Sequence, residues 1–395
     1  MNSIETLQED VREDLNRLQR RALLVGLLFI VACAGGALLS REQFFRSWLL
    51  GYVFWTGIAL GSLALLMLHQ LAGGSWGFAI QRILEAGSRT LPVAGLLIVP
   101  IFWGLQDLYP WAHPEVVRKG ELLRQKALYL NPGFFIVRTI LYFAVWGTLA
   151  WLLNKWSREL DSTGDANLVR RMQSVSAPGL VIFGLTATFA AVDWMMSLEP
   201  HWFSTMYGVI FIVGQVLSTL AFALIFLGML SGKRPFSEVL GIKQFHDLGN
   251  LMLAFVMLWA YIGFSQFLII WSANIKEETP WYLARIHGGW EWIALFLILF
   301  HFVVPFFILL NRVSKQRIRN LRRLAAVMIV IRAVDLFWLI VPAFRPGQFG
   351  IHWMDFAALL GIGGIWIAAF AWQLNQGPLL PLRDPRMAEV FHHHE

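Results

Sequence analysis

Cysteine is all but missing from this sequence. Cys33 is the only one, which excludes a disulfide within the chain and any thiolate set for an iron–sulfur cluster. The CxxCH attachment motif of c-type haem is excluded for the same reason. A b-type haem in a membrane takes a histidine from each of two spans. His287 and His301 stand fourteen residues apart in one apolar run, but no second run carries a matching pair. Phosphate-cradling glycine loops of the P-loop or Rossmann kind are missing too. Gly361, Gly363 and Gly364 lie inside an apolar run, where small residues let two helices approach closely. No metal site is expected, since the closing HHHE at 392–395 is too short to form one by itself. No cleavable signal peptide is expected either, because the first 21 residues are charged and the apolar run after them lacks a small-residue cleavage site.

Charge is scarce as well. Only 14% of residues are charged against 57% hydrophobic, and the mean hydropathy is +0.59, far from soluble composition. The fold class expected is an all-α integral membrane protein. A span takes ~20 apolar residues, because the hydrocarbon core is ~30 Å thick and a helix rises ~1.5 Å per residue. Ten such runs can be read: 22–40, 48–70, 90–108, 134–154, 178–197, 204–230, 247–272, 288–310, 324–343 and 353–373. They divide the chain into an amphipathic segment 1–21, a ten-helix domain 22–373 and a tail 374–395. An even number puts both termini on one side. Of the 32 Lys and Arg, 21 lie in the termini and the loops after even-numbered runs, 9 lie in the opposite loops, and Arg138 and Arg332 lie within runs. The termini are therefore expected in the cytoplasm. Basic residues spread over short loops also argue against nucleic acid as the partner of a chain with net charge +7.

Ile4, Leu7, Val11, Leu15 and Leu18 recur at helical spacing among charges, the pattern of an amphipathic helix lying on lipid or on a partner. The loop 155–177, with DSTGD at its centre, reads as a solvated connection. Loop 109–133 differs, since Tyr109, Pro110, Trp111, His113 and VVRKGELLRQKALYL point to an ordered segment that docks another molecule. An ionisable group at mid-bilayer costs ~2.5–3.5 kcal/mol on insertion scales and asks for a partner or a function. Arg332 and Asp335 share one helix face in the ninth run, either as a structural ion pair or as a titrating centre. His301 lies deep in the eighth run, Glu291 near its outer end, Asp193 near the outer end of the fifth, and His246 with Asp247 at the cytoplasmic end of the seventh. By depth these seven form an incomplete ladder for protons.

Three segments carry a resemblance: 111–138 (WAHPEVVRKGELLRQKALYLNPGFFIVR), 193–208 (DWMMSLEPHWFSTMYG) and 264–283 (FSQFLIIWSANIKEETPWYL). Together they closely resemble the ActF-type membrane subunits of bacterial alternative complex III, within the NrfD or polysulfide-reductase membrane-subunit family, from about residue 39 to 373. The resemblance implies two four-helix bundles, spans two to five and six to nine, related by a pseudo-twofold. It implies a subunit in the bacterial inner membrane with no redox cofactor of its own, in a complex that oxidises quinol. The implied partners are a homologous quinol-oxidising membrane subunit, an iron–sulfur subunit and multihaem cytochrome c subunits. Quinone binding by this chain itself stays open, with Asp107, Arg138 and Asp193 as the nearest candidates. A secondary transporter is the competing class, although Pro100 and Pro305 are isolated and no paired unwound segments are visible. A free-standing enzyme is disfavoured by the missing cofactor ligands.

Overall fold

A computed structural model describes residues 2–233, 236, 240–381 and 383–387, with side chains from Val11 onward. Among the described residues the chain is helical and contains no strand. Ten helices are long and apolar enough to cross a membrane, compatible with a multi-pass membrane protein. They are α1 (Asn2–Leu39), α2 (Arg41–Ala72), α3 (Ser75–Ser88, continued by Leu91–Leu97 and Val99–Trp103), α4 (Pro132–Thr163) and α5 (Ala166–Trp194). Then come α6 (Tyr207–Leu230), α7 (Ile242–Ala273), α8 (Trp290–Leu297, a π-helical turn Ile298–Val303, then Val304–Leu310), α9 (Ile318–Ile340) and α10 (Trp353–Leu374). Asn375, after α10, hydrogen-bonds Asn16 of α1 at 3.0 Å, so the first half of α1 and the end of α10 lie at one end of the array, the terminal end.

The two central helices are α2 and α6, which are buried over most of their length. α2 packs on α3, α5, α6 and α10, and α6 packs on α5, α7 and α9. α4 lies against α5 and the Leu91–Leu97 part of α3, while α8 lies against α7 and α9. The most extensive helix pair is α1 with α10. Glycine explains how close they come. A methyl group on Gly26 would meet the Ile365 nitrogen at 2.7 Å, and one on Gly364 would overlap the Gly26 backbone. The glycine cluster of α10 is thus a packing device, with Gly361 against Ile30 and Gly363 against the Trp55 ring. Cys33 lies buried nearby against Ala357 and Ala358.

Three expectations change. The amphipathic segment is no separate surface element, since α1 runs unbroken from Asn2 to Leu39. Val11 and Leu15 are buried in the main core with Leu18 packed against it, and Asp14 pairs with Lys233. Ile4 and Leu7 have side chains outside the described residues. The loop 155–177 shrinks to a two-residue turn: Gly164 at φ +70° ends α4, and the Asp165 carboxylate caps α5 by accepting from the Asn167 N–H at 2.9 Å. The third span begins at Ser75 rather than near 90. Arg82 and Glu85 therefore lie inside a helix, where they pair at 2.7 Å, and that neutralisation lets the charged stretch enter the array.

Candidate functional site

The segments 111–138, 193–208 and 264–283 come together at the end opposite the terminal end. Tyr109 and Trp111 stack at 4.8 Å and donate to the carbonyls of Trp194 (2.9 Å) and Ser197 (3.1 Å). Lys126 donates to the Pro200 carbonyl at 2.7 Å. From the other side Trp281 stacks on Trp202 with ring centres 4.5 Å apart, and Ser204 donates to Gln266 at 2.9 Å. The α5–α6 connection is therefore clamped between two aromatic contacts. Loop 109–133 is ordered as expected, in two short helices Pro114–Lys119 and Glu121–Lys126. Its inner side is buried at Leu123 and Leu130, while Leu128 stands 89% exposed.

Arg138 and Asp193 meet beneath this clamp. Asn131 caps α4 by accepting from the Phe134 N–H at 2.9 Å, with Pro132 in the first turn, which fixes the register that presents Arg138 inward. Its guanidinium donates to both Asp193 oxygens at 2.9 Å and to the Tyr129 carbonyl at 2.7 Å. The rings of Tyr129 and Phe134 cover it at 3.8 and 4.4 Å. Tyr142 donates to the same carboxylate at 2.7 Å. Burial, with the Asp193 carboxylate beyond it, pushes the Tyr129 phenol up to about 12, so it stays a neutral hydroxyl at physiological pH. Asp193 is fully buried and saturated by these donors. Asp107 is separate, paired at 3.1 Å with the exposed Arg41 at the rim of a cavity of about 580 Å³.

The second cluster lies halfway along α7, α8 and α9. Arg332 and Asp335 form a buried ion pair one turn apart on α9, and the Trp259 indole N–H donates to Asp335 at 3.3 Å. The Trp259 ring also meets His301, ring centres 4.0 Å apart. Both His301 nitrogens are buried with no hydrogen-bond partner among the described residues, and His301 lies within the π-helical turn of α8. Such turns recur at functional sites, because the extra residue displaces side chains from the regular face. Gly214 leaves room for the Arg332 guanidinium, which a methyl group there would overlap.

The remaining ladder residues are not joined to this cluster by direct hydrogen bonds among the described side chains. Asp247 accepts from Ser75 at 3.0 Å, and His246 contacts Asn250 at 3.3 Å. Asp247 lies twelve residues from Trp259 along α7, ~18 Å at helical rise, and Asn250 is the one polar side chain between them. Glu291 takes the Gly289 N–H at 2.8 Å, at the start of its own helix. Asp193 belongs to the Arg138 cluster instead.

Two buried groups escaped the sequence reading. Arg285 is fully buried, binds Glu199 at 2.6 Å and the carbonyls of Trp281 and Leu339 at 2.9 and 3.0 Å, and covers the Trp281 ring at 3.7 Å. Its spacing of four from Trp281 was the available signal. Near the terminal end, Glu85 accepts from Arg82, from Gln81 at 2.9 Å and from Ser157 at 2.6 Å, while Arg82 also reaches Asp161 at 2.5 Å. Asn154 extends this network inward by donating to Ser88 at 3.0 Å. On the buried face of α4 the polar groups fall into two sets, Arg138 and Tyr142 at one end and Asn154, Ser157 and Asp161 at the other, separated by Trp146, Leu149, Ala150 and Leu153. An apolar cavity of about 390 Å³ opens between α3 and α4, lined by Phe102, Phe143 and Thr139. No family model matches this chain, and no curated protein matches it.

Proposed function

We propose that this chain is a cofactor-free, ActF-type membrane subunit of a quinol:electron acceptor oxidoreductase complex in the bacterial inner membrane, with both termini cytoplasmic. It scaffolds the complex, docks the iron–sulfur and multihaem cytochrome c subunits on its outer face, works beside a homologous quinol-oxidising subunit, and conducts protons. The observation that carries this reading is the convergence of the three family-like segments on one face, where loop 109–133 is pinned from within and leaves Leu128 bare. Two four-helix bundles, α2–α5 and α6–α9, belong to the same reading. In their favour, the same neighbours recur in each: first on second, second on third, third on fourth, and first on fourth. Tagged chain purified from native membranes in mild detergent should carry haem absorbance and iron–sulfur protein. Recovery as a lone homo-oligomer would favour a transporter and overturn the proposal.

Protons are assigned to the Arg332–Asp335 pair with His301 beside it. A buried carboxylate held by one arginine changes protonation when that arginine moves. Asp335→Asn keeps the shape and removes the titration. In vesicles it should lower the proton-to-electron ratio of quinol oxidation, whereas an unchanged ratio leaves the pair structural. Quinone binding by this chain is the second reading, favoured by the apolar cavity between α3 and α4, whose polar liner Thr139 is next to Arg138 in the chain. Asp193→Asn should leave partial activity, because the carboxylate is already committed to Arg138 and Tyr142. Complete loss in a normally assembled complex would move quinol oxidation to this chain.

A further inference from the structure

At the terminal end a cavity of about 740 Å³ opens between the start of α7 and the start of α9. Its walls combine Gly241 and Ile242 with Arg317, Arg319 and Arg323. The sequence accounts for the charge: residues 312–323 hold six cationic side chains and no acid. Arg319 and Arg323 are one turn apart, so they project to the same side of α9. Arg322 turns away and donates to the Gly228 carbonyl at 3.3 Å. No side chain caps the first turn of α9 at Arg317, and Gly241 has none to offer α7. Two long helices thus direct their positive ends at the cavity that holds three arginines, an arrangement that favours an anion.

The residues beyond Arg323 decide which anion. Ala326, Val327 and Val330 continue the exposed face of α9 away from the arginines, with Val327 51% and Val330 64% exposed. Ile242, 62% exposed, gives the mouth a second apolar wall. A basic pocket continued by a bare apolar strip matches a lipid, with phosphate at one end and acyl chain along the other. A free phosphate would use only the first half.

We propose that this cavity binds the headgroup of an anionic phospholipid, with Arg319 and Arg323 on phosphate and an acyl chain along Val327 and Val330. A headgroup with two phosphates, as in diphosphatidylglycerol, suits three arginines better than one phosphate does. The proposal needs only that the helices cross a bilayer and is independent of the oxidoreductase reading.

The test takes the full chain, in whatever complex it purifies with, delipidated in neutral detergent. Diphosphatidylglycerol, phosphatidylcholine and inorganic phosphate are titrated in, and bound lipid is counted by native mass spectrometry. Diphosphatidylglycerol should be retained saturably, phosphatidylcholine should not, and millimolar inorganic phosphate should fail to displace the lipid. Arg319→Gln and Arg323→Gln should each weaken retention about fivefold, while Arg322→Gln leaves it unchanged. Should the arginine variants fail to fold, Val327→Ser with Val330→Ser leaves the charges in place and should still weaken retention. Equal retention of phosphatidylcholine, displacement by phosphate, or retention indifferent to both sets of variants overturns the proposal.

Discussion

The surroundings of His301 are not accounted for by packing alone. Its two ring nitrogens are buried without partners among the described residues, and an unmet buried polar group costs ~1–3 kcal/mol. His301→Phe keeps a ring against Trp259 and removes that cost, so the variant should unfold at a higher temperature in detergent. If His301 serves protons, the same variant should also lower the proton-to-electron ratio. Greater stability with unchanged coupling would mark the histidine as packing only. Arg332→Met tests its neighbour, because it strands the Asp335 carboxylate in the interior. The loss should approach ~3–5 kcal/mol, and Arg332→Met with Asp335→Leu should recover most of it. A single variant no worse than the double would mean that water reaches the pair. Sequence alone showed Arg332 and Asp335 as partners, because residues three apart meet on a helix. It could not show Arg138 with Asp193 or Arg285 with Glu199, which are 55 and 86 residues apart. Glu85 was hidden differently: it falls between the second and third apolar runs, yet it lies within a helix and is neutralised there by Arg82.

Among elements, the α1–α10 pair offers the cleanest measurement, since the only cysteine lies in its seam. Gly26→Val would push into the Gly364–Ile365 backbone, and α1 should separate from α10. Cys33 should then react with a membrane-permeant maleimide at least tenfold faster than in the unaltered chain. An unchanged rate would show that the helices do not depend on that glycine contact. The sequence indicated tight packing for the α10 glycines but not their partner, because periodicity names a face and never the helix that meets it. The same limit misplaced the start of α3. Hydropathy averages over a window, and Arg82, Glu85 and Arg89 kept the average low until about residue 90.

For the whole molecule, ten apolar runs were legible because bilayer thickness imposes a length on each, and all ten recur as helices. Partner docking belongs at this scale. Leu128, Leu122 and Val116 project from loop 109–133 with large exposed apolar surface. A photo-crosslinker at 128 should trap a haem- or iron–sulfur-bearing polypeptide in the purified complex. Crosslinks to detergent or lipid alone would show the loop to be free.

The seam between α1 and α10 also has a consequence in time. Gly26 and Gly364 are 338 residues apart, and at ~5–20 residues per second about 15–70 s separates the synthesis of one from that of the other. Throughout that interval α1 has no access to α10, and Gly26 stays uncovered by it. A helix that waits is one a chaperone or another subunit can hold, and the arrival of α10 is what ends the wait.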